Sequence, residues 1–204
     1  MPVKKVSFIN GEIYHIFNRG TDKRVVFENK QDFFRFYLTL DIFNSITPTV
    51  NFEFSRNTKL SNADRLVYIH AYALLPNHFH LLIEQRVEGG ISEFIKRVST
   101  GYTSYFNDRR DRSGVLFQGK FKRVHVETDE QYQYLLAYIN ENYIVHNLPQ
   151  PDGILYSSSS HYSKNSKSRL VLREIIENYD RQSASALAIN IFNRRKDLKR
   201  ELFE

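Results

Sequence analysis

The run Leu75–Ile83 constrains the fold of this chain most, because histidines alternate with bulky apolar residues directly after a Pro-Asn pair. Successive side chains of a β-strand point to opposite faces. A strand here therefore places His78 and His80 on one face, and Phe79 and Leu81 on the other. The apolar set predicts contact with a core and leaves the two histidines facing outward. Two adjacent imidazoles can bind a divalent metal when a third ligand comes from elsewhere in the chain.

Hydrophobic periodicity predicts the order strand, helix, strand, strand, helix, strand, followed by one more helix. The predicted strands are 12–17, 66–74, 78–84 and 124–127. The predicted helices are 32–43, 91–106 and about 128–143. The order β-α-β-β-α-β is the ferredoxin-like pattern, an antiparallel sheet with helices packed on one face. We therefore predict an α+β fold with an additional helix after the last strand.

The composition of the C-terminal third predicts a division of the chain into three parts. Residues 1–150 form the main domain, and residues 151–168 form a serine-rich linker. Residues 169–204 form a small helical appendage, with helices at 169–179 and 184–202.

Composition excludes several kinds of site and indicates one class of partner. The 204 residues include no cysteine, which excludes disulfides, thiolate zinc sites and a cysteine nucleophile. A net charge of +6 combined with 16 Phe and 13 Tyr fits an anionic polymer, because basic side chains neutralise phosphates and rings stack on bases. Charge alone fits a solvated basic surface equally well. Neither a signal-peptide core nor a membrane-spanning run is present, so we expect a cytoplasmic protein with no membrane partner.

The helix predicted after the fourth strand carries a polar stripe. Tyr134, Tyr138 and Asn142 are four residues apart, so a helix places them on one side. A tyrosine hydroxyl can attack a phosphodiester when a divalent metal polarises the phosphate and the two groups are well positioned. The amide oxygen of Asn142 is a candidate third ligand for that metal. For each tyrosine taken alone, a half-buried packing role is the more common one.

These motifs together resemble the single-tyrosine HUH transposases, the IS200-like family, in which HUH denotes His-hydrophobic-His. The chain is most similar to the REP-associated tyrosine transposase branch. The resemblance covers about residues 10–163 and rests on five motifs in the expected order: Tyr14–Gly20, Leu75–Leu82, Gly114–Phe121, Tyr138–Asn142 and Tyr156–Ser158. The chain departs from the family at Tyr143 and Asn147, where members usually carry Pro and often Gly.

The resemblance implies metal-dependent cleavage and rejoining of single-stranded DNA, particularly DNA that contains a hairpin. Mg²⁺ or Mn²⁺ would be held by His78, His80 and Asn142, and no other cofactor is implied. Tyr138 would be the nucleophile and would form a 5′-phosphotyrosine intermediate. The family includes monomers and homodimers, and in some homodimers the tyrosine helix completes the partner's site.

A second group of residues is predicted to contact DNA. Basic residues near the loop before the fourth strand are candidates for backbone contacts, with a solvated loop as the alternative: Arg109, Arg110, Arg112, Lys120, Lys122 and Arg123. Gln118 is a candidate polar residue of the same site. Tyr102 and Tyr105 are predicted to pack in the core. His15 and His70 are predicted to be structural or DNA-contacting residues, because a single strand histidine seldom binds metal.

Two other functions compete with a transposase. A non-catalytic ferredoxin-like module would bind nucleic acid through aromatic residues on its sheet. It would account for the charge but not for His78, His80, Tyr138 and Asn142 together. A metal hydrolase that uses water would keep its activity in Tyr138→Phe and leave no protein–DNA adduct. The combined motifs favour the transposase.

Overall fold

The computed structural model describes residues 7–47, 52, 61–149, 156–162, 168–172, 177 and 179–203. The strands are β1 (Ile13–Arg19), β2 (Val67–Leu75), β3 (His78–Gln85) and β4 (Lys122–His125). The helices are α1 (Lys30–Ile42), α2 (Gly90–Asp108), α3 (Asp129–Asn140), α4 (Asn142–Val145) and α5 (Arg181–Phe203). Short 3₁₀ turns occupy Thr21–Lys23, Asn62–Asp64 and Ser158–Tyr162. In this part of the chain, no helix has the length and apolarity needed to cross a membrane.

The four strands form one sheet in the order β2-β3-β1-β4, and every neighbouring pair is antiparallel. An α+β fold with an antiparallel sheet is therefore confirmed. The strand β4 begins two residues before the predicted 124–127 and ends two residues earlier.

The register defines what we call the histidine face of the sheet. Pairing of β1 with β3 places Phe17 opposite His80 and Arg19 opposite His78. Pairing of β1 with β4 places Phe17 opposite Lys122. Because directly opposed residues share a face, all five side chains lie on the same side of the sheet.

The other face of the sheet carries the main core. Helices α1 and α2 pack there through aromatic rings, with Phe36 5.2 Å from Phe79 and 5.0 Å from Tyr102 between ring centroids. Tyr102 is fully buried, and its hydroxyl donates to the Val26 carbonyl at 2.5 Å. The predicted packing role of Tyr102 is confirmed.

Helix α3 lies across the histidine face, whereas the sequence predicted outward-facing histidines there. Thr128 caps the helix by accepting from the Gln131 amide, and Leu136 and Ile139 are buried beneath it. An amphipathic helix is stabilised when its apolar side packs on another apolar surface. The histidine face provides such a surface next to the histidines. As a result His80 is only 6% exposed.

The serine run packs against the sheet, although it lies within the stretch predicted to be a linker. Tyr156 accepts at its carbonyl from the Leu74 amide at 2.7 Å, and Ser157 bridges to Ala73. The Ser158 hydroxyl accepts from the Tyr72 amide at 2.9 Å. Because β2 is an edge strand, these short polar side chains satisfy backbone groups that the sheet leaves unpaired.

Of the two predicted C-terminal helices, the second is confirmed as α5, whereas the described start of the first is not helical. Residues 168–172 are not helical, and Val171 forms a parallel bridge to Ile69 at the edge of the sheet. Helix α5 then packs against α3 and α4. Fully buried Glu141, at the α3–α4 junction, accepts from Ser159 Oγ at 2.9 Å and faces Arg181 Nε at 3.7 Å. The region is therefore joined to the main sheet and to α3.

A buried ion pair fixes the loop after α2 to α1, and we expect its loss to be costly. The fully buried Asp32 carboxylate accepts from Arg110 at 2.6 Å, from the Glu28 amide at 2.9 Å and from the Tyr105 hydroxyl at 3.3 Å. We expect Asp32→Ala to lower the free energy of unfolding by about 2–4 kcal/mol, since it leaves these donors unpaired. Urea denaturation measures this. Glu28→Gln, at the half-exposed end of the same cluster, is the control and should change it by less than about 1 kcal/mol. Equal effects of the two substitutions would contradict this account.

Candidate active site

A cleft of about 880 Å³ opens where β1, β3, β4 and the C-terminal end of α3 meet. It is lined by Phe17, Asn18, Arg19, Lys23, Asn77, His78, His80, Gln118, Lys122, Tyr138 and His146. The lining contains three cationic side chains and no carboxylate among the described residues. Such a cleft suits a polyanion.

Three histidines meet inside this cleft. His78, His80 and His146 each offer a ring nitrogen, and these three atoms lie within 4.8 Å of one another. The ring of His78 lies 5.0 Å from that of His80 and 5.3 Å from that of His146 between centroids. The first two come from β3 and the third from the residue that ends α4. One metal ion can be reached by all three after a modest contraction.

The environment keeps these imidazoles suited to metal binding. Burial, with contributions from His146 and Arg19, lowers the pKa of His78 to about 4. Burial likewise lowers the pKa of His15, beside His80, to about 4. His78 Nδ1 lies 2.6 Å from Asn77 Oδ1, which can only accept a hydrogen bond. A neutral His78 that donates from Nδ1 to this oxygen leaves its Nε2 lone pair available to a metal.

Tyr138 lies against the histidine cluster. Its ring centroid is 5.5 Å from that of His80, and the two planes are nearly perpendicular. The side chain is 7% exposed, and it lines the cleft. Tyr134, one turn earlier, is 42% exposed and stacks on Tyr138 with ring centroids 6.3 Å apart. All of these groups belong to a single chain, so α3 brings its tyrosine to histidines of its own sheet.

Asn142, predicted to be a metal ligand, does not line the cleft, and its role as a ligand stays a prediction. Its Nδ2 donates to the Tyr138 carbonyl at 3.1 Å, while its Oδ1 is buried and makes no hydrogen bond to a described residue. It lines a neighbouring, mostly apolar cavity of about 550 Å³ with Leu75 and Tyr156. The reason is local: α3 ends at Asn140, and Glu141 is not helical, at φ −103° and ψ 28°. The four-residue spacing no longer keeps the stripe on one side.

The six basic residues predicted to contact DNA do not share one location. Only Lys122 lines the cleft. Arg123, the next residue along β4, points to the opposite face, where its guanidinium lies 4.6 Å above the Phe8 ring. Arg110 is held by Asp32, as described above, and is only 17% exposed.

The other three lie on or near the loop between α2 and β4. Arg112 donates to the Val115 carbonyl at 3.2 Å, and the Arg109 guanidinium lies 5.7 Å from the Tyr105 ring. Lys120 is exposed. Some of the basic residues that cluster in the sequence therefore stabilise the loop between α2 and β4.

The structure brings three residues to the cleft that the sequence reasoning missed. Arg19 lies on β1 and donates from Nε to Gln118 Oε1 at 2.8 Å, and Lys23 lies in the turn that follows. Strand alternation contained the signal for Arg19, since it is two residues from Phe17 and faces the same way. His146 is eight residues after Tyr138, but the break at Glu141 means that helical spacing alone does not place it in the cleft.

Comparison with known proteins agrees with this geometry. Residues 45–142 match the profile of the family described as "Transposase IS200 like". No curated protein matches the sequence. The fold is similar to the solved structure of a REP-associated tyrosine transposase bound to a REP hairpin. The TM-score is 0.53 at 14% identity, and the match covers 86% of this chain and 93% of that chain. Over residues 45–142, just under half of its length, the chain is therefore similar to the IS200-like transposase family.

Proposed function

We propose that this protein is a transposase that nicks and rejoins single-stranded DNA, with Tyr138 as the nucleophile and a divalent metal at the three histidines. The carrying observation is the meeting of Tyr138, His78, His80 and His146 in one basic cleft. If Tyr138 served only for packing, the neighbouring histidines and the positive charge of the cleft would have no role. The βαββαβ order and the strand order β2-β3-β1-β4 support a ferredoxin-like assignment of the sheet.

The donor set fits a divalent transition metal. Three neutral imidazoles suit Mn²⁺ better than Mg²⁺, which prefers oxygen ligands and ordered water. We assign the ligands to His78, His80 and His146. When bound, the ion supplies Lewis-acid polarisation of the scissile phosphate.

The remaining chemistry comes from the residues of the chain. Arg19 and Lys122 bind the phosphate backbone and align it with Tyr138. The Tyr138 oxygen attacks phosphorus and loses its proton, and the phosphorus–O3′ bond breaks. The departing 3′ oxygen takes up a proton, which leaves a 3′-hydroxyl and a 5′-phosphotyrosine. Attack of another 3′-hydroxyl on that linkage reverses the step and rejoins strands without an external energy source.

Hairpin-containing DNA is the substrate we propose. The similar transposase structure contains a REP hairpin, which supports the same class of DNA for this chain. The cleft also suits this class of substrate, because its three cationic residues are exposed while Tyr138 and His80 are buried. Backbone contacts with these exposed residues would hold the strand without reading its bases.

Trapping of a covalent adduct tests this proposal. The protein is incubated with labelled single-stranded hairpins whose flanks are randomised, with Mn²⁺ or with EDTA, and is analysed on denaturing gels. We expect a protein–DNA adduct only with Mn²⁺. Cleavage without an adduct would indicate a hydrolase that uses water. DNA binding that ignores the metal and yields no cleavage would indicate a binding module.

The positive charge of the cleft gives a separate prediction for DNA affinity. We expect Arg19→Ala and Lys122→Ala each to weaken hairpin binding several-fold at moderate salt. Each should reduce the slope of log K against log salt by about one, because one phosphate contact is lost. Fluorescence anisotropy over a salt series measures both quantities. Lys96→Ala is the control, because Lys96 is 75% exposed on α2 and outside the cleft. An unchanged slope in both cleft variants would remove these residues from the DNA path.

A further inference from the structure

His15 has a contact that its position on β1 alone does not explain. It is 6% exposed, and its Nε2 lies 2.8 Å from Nδ1 of His80, which is equally buried. The two rings are stacked, with centroids 5.1 Å apart and planes at 24°. Phe17 lies 4.9 Å from the His15 ring, and Tyr138 lies 6.3 Å from it. The ring is therefore held in place from several sides.

A nitrogen–nitrogen contact of this length carries one proton between the two rings. If His15 donated it, His80 Nδ1 would accept, and the proton of a neutral His80 would be on Nε2. A protonated Nε2 cannot bind a metal. If His80 donates from Nδ1, its Nε2 presents a lone pair to the cluster.

We propose that His15 is a positioning residue, which accepts a hydrogen bond from His80 Nδ1 and thereby holds His80 with Nε2 as a metal ligand. This inference rests on the metal site of the proposed function. It gives both strand histidines the same arrangement, since Asn77 Oδ1 accepts from His78 Nδ1 in the same way. An acceptor behind each ligating imidazole fixes the tautomer and the ring orientation.

His70 provides a comparison within the same sheet. It is as buried as His15, but its nitrogens lie 3.0 Å from the Tyr132 hydroxyl and 3.4 Å from Glu84, away from the cleft. Loss of His70 therefore removes a buried histidine without touching the cluster. A His70 variant therefore distinguishes a specific effect of His15 on metal binding from a general effect of removing a buried histidine from the sheet.

Calorimetric titration of the metal-free protein with Mn²⁺ tests the inference. We expect His15→Phe, which keeps a ring of similar size and removes the acceptor, to weaken Mn²⁺ binding 10- to 100-fold. His15→Gln, whose amide oxygen can accept in place of Nε2, should stay within about threefold of the wild type. His70→Phe should also bind Mn²⁺ normally, with circular dichroism used to verify folding of all variants.

A second measurement reads the tautomer without any metal. In ¹⁵N-histidine NMR spectra of the metal-free protein, we expect the His80 proton on Nδ1 in the wild type and a mixture of tautomers in His15→Phe. A wild-type His80 protonated on Nε2 would overturn the inference, as would normal Mn²⁺ affinity in His15→Phe. A wild type that binds no Mn²⁺ would instead overturn the metal site of the proposed function and the positioning role with it.

Discussion

Tyr138→Phe is expected to abolish the covalent protein–DNA adduct and to reduce strand cleavage by a factor on the order of 10³ or more. The substitution removes only the oxygen that attacks phosphorus. The ring keeps its place beside His80, where it is 7% exposed and nearly perpendicular to the imidazole. Folding and Mn²⁺ affinity should therefore match those of the wild type. Adduct yield on denaturing gels and single-turnover cleavage rates measure the effect.

Tyr134→Phe is the matched control for this variant. Tyr134 is on the same helix and stacks on Tyr138, yet 42% of it is exposed and it is absent from the cleft lining. We expect adduct formation within a factor of about two of the wild type. If Tyr138→Phe continued to cleave while Tyr134→Phe did not, the nucleophile would be misassigned. If both variants cleaved normally without an adduct, water would be the nucleophile.

Short-range rules predicted the shared face of the two strand histidines and the helical stripe that contains Tyr138, whereas the choice of Tyr138 as the nucleophile came from the family resemblance. Alternation in β3 placed His78 and His80 on one face, and helical spacing described the residues of α3. Both rules apply within a single element. The sheet and the order of its elements followed from the same periodicities, since apolar patterns record which side of an element is covered.

The side of the sheet that α3 covers was not predictable in this way. Spacing shows that Leu136 and Ile139 face a core, but it does not say which face of the sheet receives them. The packing of Ser158 beneath Tyr72 and of Val171 beside Ile69 is equally non-local. A serine-rich composition fits a solvated linker and a set of hydrogen-bonding side chains at a sheet edge equally well. Only the unpaired backbone of β2 distinguishes them.

Charge was the least informative of the sequence features. Arg110, Lys122 and Arg123 are close in sequence, but one pairs with Asp32, one lines the cleft and one stacks on Phe8. A basic cluster predicts the sign of the local charge, but it does not predict which side chains are used to build the loop. The strand register was needed to separate Lys122 from Arg123.

The ligand set gives the second large expected effect. We expect His146→Ala to weaken Mn²⁺ binding by about 100-fold or more, since removal of a direct ligand exceeds the 10- to 100-fold cost of losing a supporting residue. Asn142→Ala should change Mn²⁺ affinity by less than about threefold. The Asn142 amide lies in the neighbouring cavity, and its Nδ2 bonds the backbone of α3. Calorimetric titration of both variants measures the difference.

His125 on β4, which is partly exposed, supplies the control. It pairs with Glu12 at 2.9 Å, and it is outside the cleft, so His125→Ala should leave Mn²⁺ affinity unchanged. The reverse result, with Asn142→Ala losing the metal and His146→Ala retaining it, would have a definite structural meaning. The break at Glu141 would then be absent in the metal-bound enzyme. A continuous α3 would carry Asn142 along the stripe of Tyr134 and Tyr138 to the metal.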